Sequence, residues 1–311
     1  MNTAYAQTVL GKIPSEKLGV TLSHEHLIVK PNNSDSYYEQ YTLDDAGKST
    51  EETISFKQSG GNTIVEMTPI NYGRNPLLLK KISENAGIHI ICTTGFHEEK
   101  FLPNWIFSMD DDSIKQKLLN EINIGIDGTT IKPGVLKIGT SLNKVTETEK
   151  RLIRIVSDVH KETGLPISTH CSKGTKAIEQ ARFFLENGVD PSRVIIGHVD
   201  IPNDIELLIE LCRLGFNVQI DHVGRDLANN DATKVKLIVD VINAGYINQV
   251  FLSGDMGKKG YLPAYGGTPG LSYFLKDLKG ELMKKISEED YYHILKINPR
   301  RFFTITTRVN E

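Results

Sequence analysis

Short runs rich in Val, Ile and Thr recur along the chain near 20–29, 63–68, 88–95, 134–140, 166–171, 194–199, 216–222 and 249–255. They are nearly continuous in hydrophobicity, the pattern of strands covered on both faces. Between them lie stretches of helical period, among them Thr146–Thr163, Thr175–Asn187, Asp204–Leu214 and Lys234–Ala244. Gly164 and Gly188 follow the first two, where a left-handed residue ends a helix, and Thr146 with Glu149 has capping-box spacing. Strand and helix alternating eight times predicts a parallel sheet closed into a (β/α)8 TIM barrel, with residues 1–311 as one domain. An open doubly wound sheet would need fewer strands and would not bring the ends of the first, fourth, fifth, sixth and eighth runs to one point. Pro31–Asp44 and the turn-rich Y-L-P-A-Y-G-G-T-P-G at 261–270 read as long loops at the functional end, and Ser287–Phe303 as a closing helix.

Composition narrows the partners. A formal net charge of −3 leaves no basic excess to neutralise phosphates, which argues against nucleic acid. No run approaches the roughly 18 apolar residues of a membrane span. The start, M-N-T-A-Y-A-Q-T-V-L, lacks the charged and apolar regions of a signal peptide. Cys92, Cys171 and Cys212 are odd in number and have no C-x-x-C spacing, as expected of reduced thiols in a cytoplasmic protein. Cys171 follows His170 on a strand, so its side chain is expected to face away and fill the core.

Polar residues sit where the strand-like runs end: His24 and His26, Lys137, His170, His198 and Asp255. His24 and His26 are two apart on a strand, so they share a face at roughly 7 Å between Cα atoms and can chelate one ion. Alone, H-x-H is a weak signal, a single rim histidine is commonly a hydrogen-bonded one, and Asp255 can equally cap a helix. Together, on a barrel, all converge on the C-terminal mouth. Imidazoles with a carboxylate suit Zn2+ or a similar divalent ion, and five such ligands exceed one open tetrahedral site, which points to two metals. Lys137 lies in the apolar V-L-K-I-G, where burial should lower its pKa; it is either salt-bridged or, as a neutral amine, open to reaction with CO2.

The set H-E-H, a lysine on the fourth run, T-H, G-H-x-D, S-x-D and a terminal N-P-x-R-F resembles the phosphotriesterase-like branch of the amidohydrolase superfamily, over residues 16–303. The resemblance implies a barrel with a binuclear metal centre at its C-terminal mouth. By motif, His24, His26 and Asp255 would hold the buried metal and His170 and His198 the exposed one. Lys137 would carry the bridging carbamate. Zn2+ is the implied metal, with Mn2+ or Co2+ as alternatives. The implied reaction is attack of a metal-bridging hydroxide, with Asp255 taking its proton and His222 relaying it. Related barrels are often dimers, which makes a homodimer the expected assembly. One position departs from the pattern: the phosphotriesterases carry G-H-x-D-D, whereas here Ile201 follows Asp200. That puts organophosphates in doubt as the preferred substrate.

The mouth loops carry Arg225, Lys258, Lys259 and Tyr261, with Tyr265 nearby. Such a set suits an anionic substrate tail, though a lysine pair by itself is commonly a solvated charge run. The loop G-D-M-G-K-K-G-Y-L-P-A-Y-G-G-x-P-G looks like that of the subgroup hydrolysing phosphorylated sugar lactones. The resulting expectation is a lactonase acting on a 5-phosphorylated aldono-1,4-lactone. His97, after the third run, either reaches the sugar or serves as a rim or capping residue. Uncharged lactones, carboxyl esters and phosphotriesters form the alternative substrates, and a non-catalytic metal- or ligand-binding barrel the alternative class.

Overall fold

The computed structural model describes residues 3–307. Its strands are β1 (Thr3–Thr8), β2 (Gly11–Pro14), β3 (Thr21–Glu25), β4 (Thr63–Glu66), β5 (His89–Gly95), β6 (Val135–Thr140), β7 (Ile167–Cys171), β8 (Val194–Ile196), β9 (Asn217–Ile220), β10 (Val250–Leu252) and β11 (Ile305–Thr307). Its helices are α1 (Ala46–Gln58), α2 (Pro76–Ala86), α3 (Asp111–Asn123), α4 (Glu147–Thr163), α5 (Ala177–Glu186), α6 (Ile205–Arg213), α7 (Ala232–Asn243), α8 (Asp277–Leu282), α9 (Glu288–Tyr292) and α10 (Asn298–Phe303). Strands β3 to β10 run parallel in sequence order, with helices between them, as the eight apolar runs predict. This is the (β/α)8 barrel.

Local sequence sets several of the boundaries. Thr146 caps α4 in a complete capping box with Glu149, and Gly164 ends it at φ 73°. Helix α5 starts later than its periodicity suggests, because Lys173 and Lys176 adopt left-handed backbone before Ala177. The closing segment is helical from Glu288 to Phe303 but widens to a π turn over His293–Ile297, just ahead of Pro299, which has no N–H to donate. Its Asn298 side chain bonds the carbonyls of Ile247 and Val250, pinning the segment beneath β10.

The core has two parts. A large apolar shell lies between sheet and helices. A smaller cluster fills the barrel itself: Val65, Met67, Ile91, Val135, Ile195 and Phe251, stoppered by Phe302 and Phe303. Arg193 donates to the Phe302 and Thr304 carbonyls and ties the stopper to the strand entrance at β8. The strand entrances are thus plugged, and polar chemistry is confined to the opposite end. Strands β1, β2 and β11 form a separate antiparallel sheet that the sequence pattern did not reveal. Cys171 is fully buried in the shell, as expected of a filler. Among the described residues, no helix is long and apolar enough to cross a membrane.

No ladder joins β10 back to β3 among the described residues. Specific bonds span this seam instead: Ser23 Oγ donates to the Leu252 carbonyl, His24 N to Ser253 Oγ, and Asp255 N to the His24 carbonyl.

Candidate metal centre

Strand β3 delivers H-E-H to the mouth. The rings of His24 and His26 lie 5.9 Å apart. His26 Nδ1 is 2.7 Å from Thr68 Oγ1, and that hydroxyl donates to Glu66 Oε1. The hydroxyl's proton is therefore committed, so His26 donates from Nδ1 and leaves Nε2 as its end toward the cleft. Nε2 faces Asp255 Oδ1 at 3.2 Å, and His24 Nε2 lies 3.8 Å from the same oxygen. These three ligand atoms converge closely enough to hold one ion.

The other predicted residues meet them. The His24 and His198 rings lie 5.1 Å apart, and the His170 and His198 rings 4.5 Å apart. His24 Nδ1 and His170 Nε2 are buried without a hydrogen-bond partner. Lys137 is 1% exposed. Its Nζ donates to the Met67 carbonyl at 2.8 Å and lies 3.4 Å from His24 Nε2. Burial lowers its pKa to about 8, against the pull of Asp255 and Glu66. Burial, reinforced by Lys137, holds His24 well below the usual histidine range; burial and the neighbouring His97 do the same for His170. Neutral imidazoles with unspent lone pairs are what a divalent ion requires, so these residues fit a metal centre. Two of them, His198 (φ 62°) and Asp255 (φ 46°), hold left-handed backbone, a strain that clusters at functional sites. Gly257 packs against the His26 ring, where a Cβ would sit 3.1 Å from it.

Three further residues orient the site; the sequence motif already held Asp200, whereas Asp221 and Lys234 went unnoticed. Asp221 Oδ1 lies 3.0 Å from His198 Nδ1 and 2.9 Å from His222 Nδ1, so both rings present Nε2 to the cleft. It stands immediately before His222 in Q-I-D-H, and a carboxylate beside a strand-end histidine was the available signal. Asp200 accepts from the His222 N–H at 3.0 Å and lies 3.2 Å from its Nδ1. Lys234 binds the Asp200 carboxylate at 2.8 Å. Burial disfavours a charged His222, but the bonds to Asp200 and Asp221 prevail and push it up to about 9. Its Nε2 lies 4.0 Å from Asp255 Oδ2.

The cleft above holds about 770 Å3. Its wall includes His97, Arg225, Lys258 and Tyr261, together with Tyr41, Lys173 and Lys234. His97 stacks on Tyr72 and accepts the Glu98 N–H at Nδ1. Arg225 is less free than its loop position suggested. Its Nη2 donates to Asp255 Oδ2 at 3.0 Å and to the carbonyls of Gly254 and Asp255, while its buried Nε has no partner. Lys258 Nζ sits 4.6 Å from the Tyr41 ring centre and 5.6 Å from that of Tyr261. Lys259 is exposed and does not line the cleft. The short 3-10 turn at Lys259–Tyr261 brings Lys258 and Tyr261, three apart, onto one side and leaves Lys259 outside. Tyr265 is likewise off the wall, bonded to Ser49 and the Asp45 carbonyl.

A barrel mouth that gathers histidines, a carboxylate and a desolvated lysine in this way defines a metal-dependent hydrolase. The chain belongs to the phosphotriesterase family, whose profile matches residues 4–303. It is 32% identical over 291 residues to the phosphotriesterase homology protein of Escherichia coli, covering 92% of this chain and 98% of that one. It is 29% identical to the phospho-furanose lactonase of Mycoplasmopsis synoviae, covering 100% and 94%, and equally to an N-acetyltaurine hydrolase of Dictyostelium discoideum, covering 96% and 97%. Among solved structures, a lactonase from Listeria monocytogenes superposes with a TM-score of 0.90 at 29% identity, covering 97% of this chain and 100% of that one.

Proposed function

We propose that the protein is a lactonase that opens a phosphorylated aldono-1,4-lactone, a sugar lactone 5-phosphate, using two divalent metal ions, Zn2+ ahead of Mn2+ or Co2+. In this reading His24, His26 and Asp255 would hold one ion and His170 and His198 the other, and Lys137 would carry a CO2-derived carbamate as a further ligand. When bound, the ions supply Lewis acidity and a nucleophile available at neutral pH. The chain's own residues manage the protons. Asp255 accepts a proton at its carboxylate and returns it to the ring oxygen as the lactone opens. His222 Nε2, 4.0 Å away, exchanges that proton with Asp255. Asp200 and Asp221 hold the opposite ring nitrogen and so keep Nε2 as the exchanging end. Three free buried thiols accord with the cytoplasm.

The observation that carries the substrate assignment is Lys258. Its ammonium is held between two tyrosine rings on the cleft wall, with no carboxylate within 4 Å among the described residues. Arg225, on the neighbouring loop, adds positive charge to the same wall, with its Nη2 bonded to Asp255. An unspent ammonium beside the reaction centre suits a phosphate monoester on the substrate. Similarity to a protein named phospho-furanose lactonase supports the same reading.

The test is a panel assayed with the Zn2+-reconstituted protein: γ-lactone 5-phosphates, their unphosphorylated counterparts, N-acyl lactones, carboxyl esters, a phosphotriester and N-acetyltaurine. Charged hydrogen bonds of about 1.5–3 kcal/mol each predict roughly a 100-fold preference in kcat/KM for the phosphorylated lactone. Lys258→Ala should erase that preference through KM. Equal or better turnover of the uncharged compounds overturns the assignment. Better turnover of N-acetyltaurine redirects the same cations to a sulfonate and the reaction to an amide.

A further inference from the structure

Glu25, the middle residue of H-E-H, has no role in the chemistry above, yet it is fully buried and makes no ion pair with Lys, Arg or His among the described residues. It lies between two residues that face the mouth, so on a strand its side chain leaves on the other face. There it meets the loop after β10. Glu25 Oε1 accepts from Ser253 Oγ at 2.7 Å and from Gly254 N at 2.7 Å, and Oε2 accepts from Met256 N at 2.9 Å. The two bonded N–H groups flank Asp255, whose own N–H donates to the His24 carbonyl at 3.1 Å. Three consecutive backbone donors around Asp255 are thus fastened to β3, two of them by one carboxylate. Asp255 itself holds φ 46°, a left-handed conformation that an aspartate keeps only when its surroundings over-determine it. Backbone N–H groups that curl around an anion in this way form a nest. No ladder is available to do the same work, since β10 and β3 are not paired.

We propose that Glu25 is the positioning residue that assembles one half of the metal centre: by gripping Ser253–Met256 it sets Asp255 against His24 and His26. The inference rests on the two-metal reading above. It assigns Glu25 to the His24–His26–Asp255 site alone, because none of its bonds reaches the loops carrying His170 or His198. Glutamine cannot replace it. Its single carbonyl oxygen serves one side, and its NH2 then confronts a backbone N–H that it cannot satisfy.

The experiment compares wild type, Glu25→Gln and Ser253→Ala after reconstitution with Zn2+ and bicarbonate. Metal content is measured after dialysis against graded chelator, beside the thermal unfolding of each metal-free protein. Wild type should hold two equivalents; fewer than two overturns the two-metal reading itself. Given two, Glu25→Gln should lose one equivalent at 10–100-fold lower chelator concentration and keep the other at wild-type affinity. Ser253→Ala, which removes one of the three bonds and also the acceptor of the His24 N–H, should shift the same single equivalent. Unchanged retention of both metals in Glu25→Gln overturns the proposal. Equal weakening of both metals, in step with a lowered metal-free melting temperature, also overturns it, since that marks a general structural role. Where Glu25→Gln fails to fold, Glu25→Asp, which keeps the carboxylate but shortens its reach to Gly254 and Met256, takes its place under the same outcomes.

Discussion

Lys137→Met isolates the cost of the buried lysine from its use. In the metal-free protein the Lys137 ammonium is desolvated enough to bring its pKa from 10.5 to about 8, a penalty of roughly 3 kcal/mol at pH 7. Methionine has similar length and no charge, so the substitution removes that penalty. It also removes the 2.8 Å bond to the Met67 carbonyl, and leaving a buried acceptor bare costs about 1–3 kcal/mol. The metal-free variant should therefore be as stable as wild type, or more stable by up to about 2 kcal/mol, in urea unfolding at pH 7. The sign with pH follows from linkage. The folded pKa is depressed, so between pH 8 and 10.5 the unfolded state binds more protons and wild-type stability rises. The advantage of the variant should fade across that window. In the reconstituted protein, Lys137→Met should hold at most one equivalent of metal and lose at least about 100-fold in turnover, the scale of several kcal/mol of transition-state stabilisation. Two retained equivalents, or a metal-free variant destabilised by more than about 3 kcal/mol, would refute the reasoning: the lysine would then be structural.

Other predictions follow from single contacts. Asp221→Asn unseats the imidazoles of His198 and His222 together; it should weaken one metal about 10–100-fold and move the NMR titration of His222 in the metal-free protein below its value of about 9. A thiol reagent should find no reactive cysteine in the native protein and three in denaturant, because burial pushes all three thiols up to about 12; one native equivalent would contradict this burial. Arg74 makes a bidentate pair with the buried Glu121 at 2.6 and 2.9 Å, so Arg74→Ala should cost about 3–5 kcal/mol in chemical denaturation, and Arg74→Met with Glu121→Leu should recover most of it.

Much of this molecule was legible along the chain because its signals are local. The eight barrel strands announce themselves as apolar runs, and the α4 cap is written in Thr146 and Glu149. His24, His26, Lys137, His170, His198 and Asp255 stand at strand ends, and parallel strands in a barrel present their ends together. The family resemblance follows from those same residues in order. What the chain could not disclose depends on distance between elements. Asp221 orients two histidines, one next to it and one 23 residues earlier. Arg225 reads as a free mouth cation until the fold sets it 3.0 Å from Asp255. Lys258 and Lys259 are indistinguishable in sequence, and only the turn that follows decides which faces the cleft. Glu25 looks like a spacer between two ligands until the barrel closes and brings the loop after β10 around it. Periodicity and spacing set which residues share a face of one element; which partners those residues meet is decided only when elements far apart in sequence are packed together, and the hydrogen bonds and charges that orient this site are of that second kind.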